Sequence, residues 1–107
     1  MSSTGEDLPI VCTLSEADQA ARQQGDVARL FARVERTREL DDGYEVTLPG
    51  NAETARAIAE FVIKERECCR FFTFDTTFEA DGGPIRLSLR GPAGTKEFLE
   101  EGGLRAT

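Results

Sequence analysis

The chain of 107 residues contains no histidine and only three cysteines. Without an imidazole there is no Cys-His or Ser-His pair, which excludes nucleophilic catalysis with a histidine base. The usual zinc spacing is missing too, because the sequence has neither a histidine nor a Cys-x-x-Cys pair. Calcium and magnesium prefer oxygen ligands, and the acidic residues form no matching loop. No segment approaches the roughly 20 apolar residues that span a bilayer, so no membrane partner is expected. The opening segment MSSTGEDLP has no basic region followed by an apolar run and does not read as a signal peptide. The expected compartment is therefore the cytoplasm, where thiols stay reduced, and an odd cysteine count agrees with it.

Positive charge is also in deficit. A formal net charge of −7 argues against a nucleic-acid partner, which needs a concentrated basic face. Arg22, Arg29, Arg33, Arg36 and Arg38 do gather in one stretch, but acidic residues interleave with them and the stretch reads as a solvated face. Gly91 and Gly94 form neither a Walker nor a dinucleotide pattern; they read as a strand-to-helix turn, and no organic cofactor is expected. Hydrophobic residues at 39% and charged residues at 31% are ordinary for one globular domain. Residues 1–8 read as a flexible tail and 9–104 as that single domain.

Apolar spacing then orders the elements. Ser15 with Asp18 resembles a helix N-cap, and Val27, Leu30, Phe31 and Val34 carry the apolar side of a helix over 15–34, with Gly25 as its weak point. Strands at 35–40 and 44–48 follow, joined through Asp41, Asp42 and Gly43, where Asp-Gly predicts positive φ angles. Asn51 caps a second helix reaching Cys69, with Ala55, Ile58, Phe61, Val62, Cys68 and Cys69 as its stripe. In a second hairpin Phe72, Phe74 and Phe78 occupy one face and Ile85, Leu87 and Leu89 line the return strand. A short helix over 95–101 ends at Gly102 and Gly103. The fold class is thus α+β, a two-layer domain in the order helix-hairpin-helix-hairpin-helix with a four-stranded, mainly antiparallel sheet.

Cys68 and Cys69, adjacent in ERECCRFF, are the residues with the sharpest chemistry. Short connections reverse the chain, so the start of the first helix, the end of the second and the turn at 91–95 fall at one pole of the domain. Cys12 precedes the first helix and belongs to that pole. Three converging soft sulfurs match a thiophilic ion such as mercury(II) or copper(I). A thiolate nucleophile fits less well, because a helix C-terminus beside Glu65 and Glu67 disfavours negative charge.

Other readings stay open. Glu65, one turn before Cys69, either exchanges a proton beside the sulfur or reaches the domain rim to pair with Arg66 or Arg70. A thiol-dependent enzyme of redox or organometal-cleaving type would use Glu65 or Asp75 as proton donor. In an interaction module, the cysteines would simply pack as small apolar residues.

The stretch IAEFVIKERECCRFFTFDTTFEADGGPIRLSLRGPAGTKEFL, with Cys12, Thr13 and Leu14 upstream, resembles a small bacterial domain. That domain is associated with heavy-metal, particularly mercury, resistance loci and with the C-terminal part of mercury-resistance-type regulators. The resemblance covers most of 12–99. Similar sequences often carry a proline after the paired cysteines, where this chain has Arg70. It implies Cys12, Cys68 and Cys69 as metal ligands. With no DNA-binding helix-turn-helix preceding them, it implies a stand-alone protein that binds or sequesters the metal.

Overall fold

The computed structural model describes residues 25–107. Along them run α1 (Asp26–Phe31), β1 (Arg36–Leu40), β2 (Gly43–Leu48), α2 (Ala52–Cys68), β3 (Thr73–Phe78), β4 (Ile85–Arg90) and α3 (Thr95–Glu101). The fold is α+β, and its four strands form one antiparallel sheet in the order β1-β2-β4-β3. Among the described residues no helix is long and apolar enough to cross a membrane.

The central strands alternate, β4 throughout and β2 from Tyr44 onward. Tyr44, Val46 and Leu48 stand opposite Leu89, Leu87 and Ile85, and all six are buried. With Leu30 of α1, Ile58 and Phe61 of α2 and Leu99 of α3 they make one core, each large side chain contributing about 1.5–3 kcal/mol by leaving water. On the opposite sheet face Glu45 pairs with Arg38 at 3.2 Å, Arg86 pairs with Glu79, and Arg90 pairs with Asp75 at 2.6 Å.

Asn51 caps α2 as its sequence predicts, accepting the Thr54 N–H on its side-chain oxygen at 2.8 Å. Glu53 in the first turn and Arg66 in the last complement the helix dipole. The buried side of α2 is Thr54, Ile58, Phe61, Glu65 and Cys68, alternating steps of four and three that trace one seam. Ala55 and Val62, expected in that stripe, are only partly buried beside it.

Three expectations need correction. The first helix ends at Phe31 rather than Val34, because Arg33 and Val34 donate back three residues to Leu30 and Phe31 in a tightened last turn. Its start follows Gly25, and the residues proposed upstream, Ser15 and Asp18 among them, lie outside the described residues. Gly43 does not make a positive-φ turn. It opens β2, where a Cβ would collide with the Leu89 carbonyl, so its role is close strand approach. The Asp-Gly pair with positive φ is Asp81 (64°) and Gly82 (71°), in the second hairpin. Finally, Phe78 is not a core residue: it stands opposite Ile85 on the same sheet face as Phe74, but β3 is an edge strand with one neighbour, and at its end Phe78 is 61% exposed. Phe74 is partly buried against Phe61, with ring centroids 6.1 Å apart.

Two polar contacts hold α3 against the sheet. The Tyr44 hydroxyl donates to Glu100 at 2.6 Å, and Lys96 pairs with Glu39. The Glu100 hydrogen bond, reinforced by burial and by the nearby carboxylate charge, pushes the Tyr44 pKa up to about 12. Beyond α3, Thr107 meets β1: its N–H donates to the Thr37 carbonyl at 2.8 Å, and its hydroxyl accepts the Thr37 N–H at 2.9 Å.

Candidate metal centre

The seam of α2 runs directly into the cysteines. Glu65 occupies the seam position one turn before the end, and Cys68 is the last helical residue. Cys69 is the C-cap, with φ −118° and ψ 79°, and its N–H still donates to the Glu65 carbonyl at 2.7 Å. This break matters for the chemistry. In a continuing helix adjacent side chains diverge and do not face each other. Leaving the helical conformation at Cys69 brings the two Sγ atoms to 3.6 Å, a thiol contact well beyond the ~2.05 Å of a disulfide bond.

Glu65 joins them. One carboxylate oxygen and the two sulfurs lie within 4.8 Å of one another, and the residues are 8%, 3% and 4% exposed for Glu65, Cys68 and Cys69. The expectation that Glu65 reaches the domain rim is therefore overturned. Seam spacing turns it inward, together with Ile58, Phe61 and Cys68. A buried carboxylate beside two thiols, at the negative end of a helix, is an environment that attracts a cation.

The surroundings are aromatic. Cys68, Cys69 and Phe71 form a buried cluster of their own, with Phe72 and Phe98 packed against it. Phe71 meets Phe72 and Phe98 with centroids 4.5 and 5.2 Å apart. This shell limits solvent access and lowers the local dielectric, which strengthens any charge interaction inside it. Of the pole inferred from chain reversal, the end of α2 and the turn at 91–95 do come together, since a Cβ on Gly91 would lie 3.0 Å from the Phe71 carbonyl; the start inferred for the first helix lies outside the described residues.

A cavity of about 640 Å³ adjoins the cluster and has Glu65, Cys68 and Cys69 in its wall. Val27 and Phe31 of α1, Phe61 of α2, Leu89 of β4 and Leu99 of α3 supply its apolar lining. Sequence reasoning did not foresee the cavity or the part played by Phe71 and Phe98. The seam spacing alone could have placed Glu65.

Of the residues singled out in the sequence, Cys68, Cys69 and Glu65 converge. Cys12 lies outside the described residues. Asp75 belongs elsewhere: it is exposed, accepts a hydrogen bond from Arg90 Nε at 2.9 Å and forms an ion pair with that guanidinium, raising its pKa, with Asp42 adding a smaller effect. It is not part of the centre.

Comparison with family models, curated proteins and solved structures yields no match to this chain.

Proposed function

We propose that the chain binds a thiophilic heavy-metal ion of the mercury(II) class, with copper(I) as the other soft ion of suitable preference, through the thiolates of Cys68 and Cys69. Glu65 supplies a nearby oxygen and Cys12 a third sulfur. One observation carries the reading: two thiols and a carboxylate, all buried, have ligand atoms within 4.8 Å of one another at the end of one helix. Zinc is a poorer match, since its structural sites take four ligands in Cys and His spacings that this chain lacks.

Binding exchanges protons for metal. Mercury(II) and two thiols give a bis-thiolate complex and two protons, so the ion itself drives deprotonation at a place where a bare thiolate would be disfavoured. The resemblance to domains of mercury-resistance loci supports the same ion class, and a reducing cytoplasm would keep the pair available. We further infer a two-layer arrangement, with the helices on the covered face of the sheet and the site at the layer boundary. The protein would then hold the ion away from other thiols.

Titration of the full chain with mercury(II) in the absence of reductant, read by native mass spectrometry, tests the assignment. One ion should be retained by the wild type and lost from a Cys68→Ser, Cys69→Ser double variant. Equal uptake by the two proteins would sink it.

A further inference from the structure

Size is the observation that the binding of a bare ion leaves unexplained. One water molecule occupies about 30 Å³ of liquid, and an ion held between two sulfurs needs a space of that order. The cavity beside the cysteines measures about 640 Å³, within the range of roughly 300–1,000 Å³ typical of pockets for organic ligands. Its lining matches that class as well. Val27, Phe31, Phe61, Leu89, Phe98 and Leu99 present apolar surface, the thiols and Glu65 form one polar part of the wall, and Thr37, Arg105 and Thr107 form another. The arrangement is a soft, polar anchor beside a mainly apolar pocket that is half open to solvent.

Resting on the metal-binding reading above, the geometry points to a more specific ligand: a soft-metal cation carrying one apolar organic group, an aryl- or alkylmercury(II) species. The metal meets the sulfurs of Cys68 and Cys69, and the organic group lies along the apolar side of the half-open pocket. The step is a ligand exchange without oxidation or reduction. A cysteine S–H bond breaks and a sulfur–mercury bond forms; the mercury–halide or mercury–hydroxide bond breaks, and the carbon–mercury bond stays intact. The proton passes to water, and the former ligand leaves as its anion or, after taking up that proton, as water. The second sulfur, 3.6 Å from the first, is in reach of the same metal.

Apolar burial sets the expected preference. A phenyl group buries far more apolar surface than a methyl group, and even partial burial of the difference is worth about tenfold in affinity or more. The test titrates the full chain with phenylmercury(II), methylmercury(II) and mercury(II) and measures retention against rising concentrations of a small monothiol, by native mass spectrometry. Because the monothiol competes equally for either organomercurial's metal, the phenyl-to-methyl ratio isolates the organic group. The wild type should hold phenylmercury against about tenfold more competitor than methylmercury. A bulky side chain introduced from α1 by Ala28→Phe, at an exposed position that also lines the cavity, should reduce that ratio towards one.

The outcomes separate the two readings. If phenyl- and methylmercury are held alike by the wild type while mercury(II) still depends on Cys68 and Cys69, the organic-ligand inference is overturned and metal binding stands. If no mercury species is held better by the wild type than by the Cys68→Ser, Cys69→Ser variant, both fall. The wild-type ratio decides the matter even if Ala28→Phe fails to fold.

Discussion

Alkaline titration provides a direct check on how α3, which carries Phe98 and Leu99 of the cavity wall, is fixed to the sheet. The chain has a single tyrosine and no tryptophan, so the near-ultraviolet band of tyrosinate reports Tyr44 alone. Its hydroxyl donates to Glu100 at 2.6 Å from a buried position. Ionising it would break that bond and set two negative charges side by side, which raises its pKa from 10.0 to about 12. At any given pH in this range the tyrosinate-to-tyrosine ratio is then about a hundredfold lower than in an unfolded chain. The direction of the linkage follows. Below pH 10 both folded and unfolded chains keep the proton, and the contribution to stability is fully present. Between pH 10 and 12 the unfolded chain loses its proton first, so stability falls and the contribution is gone once the folded group ionises. Glu100→Gln keeps an acceptor but removes the charge, and should move the midpoint back towards 10.0. A wild-type midpoint near 10.0, with the far-ultraviolet circular dichroism still native, would refute the contact.

Phe71→Ala should cost about 3–5 kcal/mol in urea unfolding, because Phe71 is buried between the cysteines and the rings of Phe72 and Phe98; a loss under about 1 kcal/mol would mean that the aromatic shell is not packed as described. Among the thiols, Cys12→Ser should leave measurable mercury(II) binding with faster release in competition against a small dithiol, since Cys68 and Cys69 already place two sulfurs 3.6 Å apart. A Cys12→Ser variant weaker than both single variants at 68 and 69 would reverse that order.

Much of this scaffold is legible from residue patterns, and the misses have local causes. The Asn51 cap, the alternation of Tyr44, Val46 and Leu48, and the Gly102–Gly103 stop depend on neighbours a few residues away, where spacing is a sound guide. Gly43 looked like a turn residue because Asp-Gly usually is one, yet its role is set by Leu89 on another strand, a tertiary fact. Phe78 fits a two-faced alternation, and only the strand order reveals that β3 is an edge. At the site, cysteine identity was plain from the sequence. What brings the sulfurs together is the departure of Cys69 from helical dihedrals, and that depends on the chain turning towards Phe71. A cavity bounded by α1, α2, β4 and α3 has no signature in any single segment.

The placement of the described donors has a consequence for cross-linking. Glu65, Cys68 and Cys69 lie within residues 65–69, so an ion shared by these three closes only a short ring and removes little freedom from the unfolded chain. An ion that also captured Cys12 would tie together positions 12 and 68 and act as a staple, worth about 4 kcal/mol by the loop-length reasoning applied to disulfides. Mercury(II) should thus raise the melting temperature of the wild type far more than that of Cys12→Ser, even where both proteins are saturated with metal. The difference in thermal shift would report the closed loop together with the additional metal–sulfur bond that closes it.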